Sequence, residues 1–262
     1  MDFQPINSDH AVQSAAFTIA FDGLIPLSAI QGLRGRKELI ADLPAVQSPE
    51  GLEINVAGPA LPPVQRRISG IQLSHLRPDG TPAWALRLMA QELAVECTRY
   101  TRWNRVWETA GKYMRAGLEV VNVGDKPRKV AMLGQAVVDV FVANRDNYDL
   151  RTLLKENDLI AGNVFSSGPA WHSHIGWFAD AGTASLAWLN QLNLDALRTP
   201  NDGRTIVQVT HNQELRFSPP VEIATLGDIL DDKMNSLHTN NKLVLDRILS
   251  ERMATKIGLN LT

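Results

Sequence analysis

Two stretches of this chain share one grammar: strand, tight turn, strand, then a helix that carries the segment's aromatics or leucines. The first runs from about 65 to 118 and turns at Pro78-Asp79-Gly80; the second runs from about 183 to 257 and turns at Pro200-Asn201-Asp202-Gly203. An Asp-Gly pair between alternating apolar runs marks a hairpin, because the turn needs positive φ and glycine supplies it without steric cost. Two such units predict an α+β fold of two related halves, each an antiparallel sheet with a helix on it. A duplicated ferredoxin-like arrangement is the first expectation, and a single curved sheet wrapping a long C-terminal helix is the second. The Ser/Gly/Asn-rich stretch 162–169 is the expected boundary, which puts the halves at 1–161 and 162–262.

Local periodicity fills in the elements. Ala15, Phe17, Ile19 and Phe21 alternate with smaller or polar residues, the period of a strand with one buried face. Residues 27–43 read as a helix weakened by Gly32 and Gly35, and prolines from Pro44 to Pro63 surround a short strand at 52–56. The arm 82–100 is long enough for two strands, or for one with a bulge near Gln91-Glu92. Trp103, Val106, Trp107, Ala110, Met114 and Leu118 step by three and four, which makes one apolar helical stripe. Asp125-Lys126-Pro127 breaks the chain before a strand at 130–142, and 149–157 reads as a short helix. Strands follow at 170–179, 183–194 and 204–217, where Pro219 and Pro220 are expected to stop the last one. One helix over about 226–257 ends the chain, and residues 1–10 read as a loose arm.

Charge and composition exclude more than they specify. A formal net charge of -2 gives no global attraction to nucleic acid or anionic membrane. One cysteine, Cys97, excludes an internal disulfide and suits a reducing compartment. The start Met1-Asp2-Phe3-Gln4-Pro5 lacks a basic n-region and an apolar core, and the apolar run 130–143 is too short to span a bilayer. A cytoplasmic protein with no membrane contact is therefore expected. The chain has no Gly-x-Ser-x-Gly, no phosphate-cradling glycine loop with lysine, no His-Glu-x-x-His and no Cys-x-x-Cys, so no cofactor is implied.

Four places carry candidate chemistry. His172 and His174 in Trp171-His172-Ser173-His174 point the same way on a strand and can begin a metal site. A third ligand would come from His211, His238, Asp139 or Asp180, which no spacing forces together; a solvent-facing or hydrogen-bonded pair is the plainer reading. Asp139 lies in the apolar run Val137-Val138-Asp139-Val140-Phe141, where a carboxylate is paired, neutral, or at an edge. His211, His238 and Asn241 join it as candidates for a polar pocket, with helix docking as the alternative role of His238 and Asn241. Arg99, Arg102 and Arg105, interleaved with Tyr100, Trp103 and Trp107, have the ingredients of single-stranded RNA binding, or form a solvated helix face. Cys97 shares a face with Leu93 and Val95, which suits a small buried hydrophobe better than a nucleophile.

The passage Leu93-Ala94-Val95-Glu96-Cys97-Thr98-Arg99-Tyr100 followed by Trp103, the strand 136–141, and Leu237-His238 followed by Lys242 together resemble a sporadically distributed family of uncharacterised bacterial proteins of about this length. The resemblance spans about two thirds of the chain. It departs at Val138-Asp139, where many members carry an aromatic-Asn pair. It implies a bacterial intracellular protein of the kind found in mobile or defence-associated systems, and it carries no reaction over. The first functional expectation is a non-enzymatic interaction or regulatory subunit acting with a neighbouring gene product, its partner another protein subunit or a second copy of itself. The alternatives are a metal-dependent hydrolase or nuclease built on His172 and His174, and an RNA-binding module.

Overall fold

The computed structural model describes residues 2–53, 65–123, 128–180, 182, 186–199 and 203–259. Ten antiparallel strands form one sheet, β1 (Phe3–Pro5), β2 (Val12–Phe21), β3 (Ala45–Gln47), β6 (Gly70–Leu76), β7 (Pro82–Met89), β8 (Glu92–Cys97), β9 (Lys129–Ala143), β10 (Trp171–Ala179), β11 (Leu186–Arg198) and β12 (Thr205–Glu222). A separate two-stranded ribbon pairs β4 (Glu50–Glu53) with β5 (Gln65–Ile68). The helices are α1 (Leu27–Arg34), α2 (Lys37–Asp42), α3 (Trp103–Val121), α4 (Ile223–Ile248) and α5 (Glu251–Lys256). The protein is thus α+β, with a long helix near its C-terminus. No described helix is long and apolar enough to cross a membrane.

The strand order β10-β11-β12-β9-β2-β8-β7-β6-β3 carries an internal symmetry. One unit runs β2, a connection, then the meander β6-β7-β8 and α3. The other runs β9, a connection, then the meander β10-β11-β12 and α4. In each unit the last meander strand pairs with the first strand, β8 on β2 and β12 on β9. The antiparallel pair β2–β9 fuses the units into a single sheet. By topology the units divide between α3 and β9, so 129–161, expected within the first half, opens the second unit.

Alternation builds the layers. Phe17, Ile19, Leu133, Val137, Val209 and Leu215 all sit on one face, which is buried beneath the helices. Their neighbours Thr18, Met132, Val138 and Thr210 form the other face and are half-exposed. Under the helices lie two apolar clusters. One is built on Phe17, Leu86, Met114 and Met234, and the other on Phe3, Phe141, Leu194 and Ile248. Cys97 is wholly buried in the first.

Several local expectations are corrected. The N-terminal arm is not loose: Phe3 is fully buried and β1 pairs with 141–143. The helix expected over 27–43 is two helices, since the chain leaves helical hydrogen bonding at Gly35 and Arg36. Residues 149–157 make only one short 3-10 turn, Leu150–Thr152. Pro219 and Pro220 do not stop β12; its ladder to β9 is irregular between Arg216 and Val221 and resumes at Val221. The last helix is broken at Leu249-Ser250, because Leu249 leaves the helix to bridge Leu154 and Ser250 caps α5 through Met253 N–H. The arm 82–100 forms two strands, turning at Ala90 with φ 50. Pro59, Pro62, Pro63, Asp125, Lys126, Pro127 and the turn residues Pro200, Asn201 and Asp202 lie outside the described residues.

Candidate functional site

Where α3 begins against α4, side chains from five parts of the chain line a half-open cavity of about 200 Å³. Its floor is the helix-covered sheet face, with Ala15 from β2 and Gln135, Val137 and Asp139 from β9. The approach to α3 contributes Tyr100, Arg102 and Trp103. His238, Asn241, Lys242 and Leu245 come from α4, a spacing of three and four that sets them on one helix face. The ends are closed by His10–Val12 before β2 and by Ile257–Leu259 after α5.

Strand parity is what puts a carboxyl on this floor. Asp139 shares its face of β9 with Val137 and Phe141, so the alternation that buries those residues buries Asp139 to 2% exposure. Buried carboxylates are normally paired or hydrogen-bonded. Asp139 has no such partner among the described residues. Burial alone raises its pKa from 3.8 to about 7, since the charged form loses its hydration with nothing to replace it. The Asp139 charge in turn helps push the Tyr100 phenol upward, after burial as the larger cause.

Beside Asp139 the floor is held by a polar network. His211 Nδ1 lies 2.9 Å from Asn241 Oδ1, and its Nε2 lies 3.1 Å from Asn190 Oδ1. Asn240 Nδ2 donates to Asn190 Oδ1 and to Gln213 Oε1, both at 2.7 Å. Gln213 Nε2 donates to Gln135 Oε1 at 3.2 Å and to the Leu237 carbonyl at 2.9 Å. Burial drives the His211 pKa down to about 4, so the ring is neutral at physiological pH. Gln135 and Asn241 each commit their oxygen to this network, and their NH2 groups have no partner among the described residues. Both residues line the cavity.

The wall is aromatic. The His238 ring lies flat on Trp103, centroids 4.1 Å apart and planes within 3°. Trp103 is fixed in turn by its indole N–H, which donates to Asn235 Oδ1 at 2.7 Å, and by stacking on Trp107 at 5.8 Å. His10 meets Tyr100 edge to face at 5.6 Å. Burial and the Lys242 charge hold His238 at about 4, so that imidazole is neutral at physiological pH, and burial lowers the His10 pKa as well. Two cations complete the lining. Arg102 pairs with Asp9 at 3.3 Å, whereas Lys242 has no ion-pair partner among the described residues.

Asp139, His238 and Asn241 therefore meet at one cavity, and His211 lies against Asn241 behind it. Of the three arginines, Arg102 reaches this cavity; Arg99 and Arg105 are exposed elsewhere on the surface. His172 and His174 lie apart from it. They point outward from the edge strand β10, with rings 6.4 Å apart, and His172 Nδ1 is 2.6 Å from Asp195 Oδ1. The register Ile175–Leu192–His211 places His211 on the opposite sheet face. No group of three metal-ligating side chains occurs among the described residues. The Cys97 thiol is raised to about 11 by burial, which suits an inert core residue.

Sequence reasoning missed Gln135, Gln213, Asn190, Tyr100 and His10 as site residues. A signal existed for three of them. Gln135, Gln213 and Asn190 occupy inward positions of strands whose other inward positions are apolar, and polar residues there must converge on one another or on a ligand. Comparison with protein-family models, with curated proteins and with solved structures finds no match.

Proposed function

We propose that this protein is a non-enzymatic regulatory subunit that binds a small molecule in the cavity over Asp139 and acts through contact with another protein in the bacterial cytoplasm. The observation that carries this reading is the carboxyl of Asp139, 98% removed from solvent, without a partner among the described residues, and lining a half-open cavity. Such a group costs stability in the free protein, a cost that a bound donor offsets. About 200 Å³ is room for about seven waters, below the usual size of a drug-sized pocket, so the occupant is small. Because α4 both roofs the cavity and packs on α3, an occupant would bear on both units. The outward sheet face carries the cross-strand apolar pair Leu197 and Ile206, a surface that a protein partner would cover. The family resemblance supports a mobile or defence-associated setting.

The test is a thermal-shift screen of a small-metabolite library against wild type and Asp139→Asn. A ligand at about 100 times its Kd adds about 2.7 kcal/mol, which corresponds to about 5–10 °C in a chain of this size. At least one compound is expected to stabilise wild type by that amount and the variant far less. A library in which no compound distinguishes the two proteins would sink the reading.

A further inference from the structure

The cavity lining carries charges of both signs. Asp139 is buried in its floor, with the Tyr100 phenol close enough to feel its charge. Trp103, His238 and His10 share the lining, the His238 ring covering a face of Trp103. A buried carboxyl without an ion-pair partner among the described residues is complementary to an organic cation. Elsewhere in the lining are Lys242, half-exposed and without an ion-pair partner among the described residues, and Arg102, exposed and paired with Asp9 on the surface. No ion pair joins either cation to Asp139 among the described residues, although Lys242 stands near enough to His238, and Arg102 to Tyr100, for its charge to act there. Apolar side chains of Val137, Leu245 and Ile257 fill the lining between the polar groups.

We infer that the ligand is a small zwitterion of the amino-acid or betaine type, its ammonium held by Asp139 and its carboxylate by Lys242, with Arg102 as a second contact. This rests on the small-ligand reading above and names the ligand class. A cation entering beside a protonated Asp139 converts it to a carboxylate, and the proton leaves to solvent. Below neutral pH, binding therefore releases a proton, which a neutral ligand would not do.

Isothermal titration calorimetry on the full chain tests this at pH 6 in buffers of different ionisation enthalpy. The probes are the common free α-amino acids, glycine betaine and δ-aminovalerate, with n-pentylamine and valerate as single-charge controls. At least one zwitterion is expected to bind with release of nearly one proton. Asp139→Asn should abolish the proton release and weaken binding on the order of thirtyfold or more. Lys242→Ala should weaken the zwitterion severalfold and leave n-pentylamine unchanged, a difference that misfolding could not produce. If n-pentylamine binds as tightly as the best zwitterion, the ligand is a simple cation and the zwitterion assignment falls while the small-ligand reading stands. The same holds if only an uncharged library compound binds through Asp139. If no probe and no library compound depends on Asp139, both fall together.

Discussion

Asp139 and His211 sit on the same sheet face and respond to acid in opposite senses. The folded-state pKa of Asp139 lies near 7, above its value of 3.8 in an unfolded chain. Below pH 4 both states carry the proton and the group contributes nothing. Between about 4 and 7 the unfolded chain ionises first, so the buried carboxyl destabilises the fold progressively, and above 7 the penalty is complete. Its ceiling is about 4 kcal/mol from a shift of this size. His211 and His238, whose folded values lie near 4 against 6.5, lose stability in the other direction, as pH falls from about 6.5 toward 4. Two imidazoles outweigh one carboxyl, so these groups together should cost the wild-type protein about 1.4 kcal/mol per pH unit as pH falls from about 6.5 to 4.5. Urea unfolding of Asp139→Asn, without ligand, is expected to show a gain over wild type of about 2–4 kcal/mol at pH 8 that closes near pH 4. An equal offset at both pH values would mean that Asp139 is not buried as a titrating carboxyl.

Helix α3 shows how an element meets the sheet. Its apolar stripe buries Val106, Trp107, Ala110, Met114 and Leu118, and Trp107 donates from its indole to Asp231 Oδ1 of α4 at 2.9 Å. Two buried glycines on this helix differ in what surrounds them. A Cβ on Gly117 would lie 2.5 Å from Leu93 Cδ1, a side chain with no exposure and no room to turn. A Cβ on Gly111 would meet Arg115 Nη1 at 2.8 Å, the end of a long side chain that is 44% exposed and paired with Asp231 through Nη2. Alanine favours the helix by about 1 kcal/mol at either position. Gly117→Ala is nevertheless expected to cost about 1–3 kcal/mol through overpacking. Gly111→Ala should be neutral or stabilising by up to about 1 kcal/mol. Chemical denaturation of the two variants side by side checks the contrast, and equal effects would show that Leu93 has room to yield.

At the scale of the molecule, the two topological units are not separate bodies joined by a linker. They share the pair β2–β9, and β9 is flanked on its other side by β12. The connection after β9 is tied back as well, since Leu154 bridges Leu249 and Asp149 N–H donates to Asp2 Oδ2 at 2.8 Å. Neither unit can unfold without stripping a ladder from the other. A single cooperative transition is therefore expected, with tryptophan fluorescence, reporting Trp84, Trp103 and Trp107 in one cluster and Trp171 and Trp177 against the other, coinciding with far-ultraviolet circular dichroism. Two separated transitions would show that the units fold independently.

Local periodicity sufficed for β2 and for the stripe of α3. Alternation over Ala15 to Phe21 and steps of three and four from Trp103 to Leu118 reflect side-chain direction, which the backbone fixes residue by residue. The same parity set Asp139 among inward-facing residues and showed His172 and His174 sharing one face. Periodicity did not show which elements would lie side by side. Phe3 is buried because β1 reaches residue 143, and the last helix breaks because Leu249 finds Leu154, both pairings between residues far apart in sequence. The cavity is of that kind too. Tyr100, Asp139, His238 and Leu259 come together only when α4 closes over the β2–β9 seam, so the chain encoded the chemistry of each group and the tertiary packing decided that they share one space.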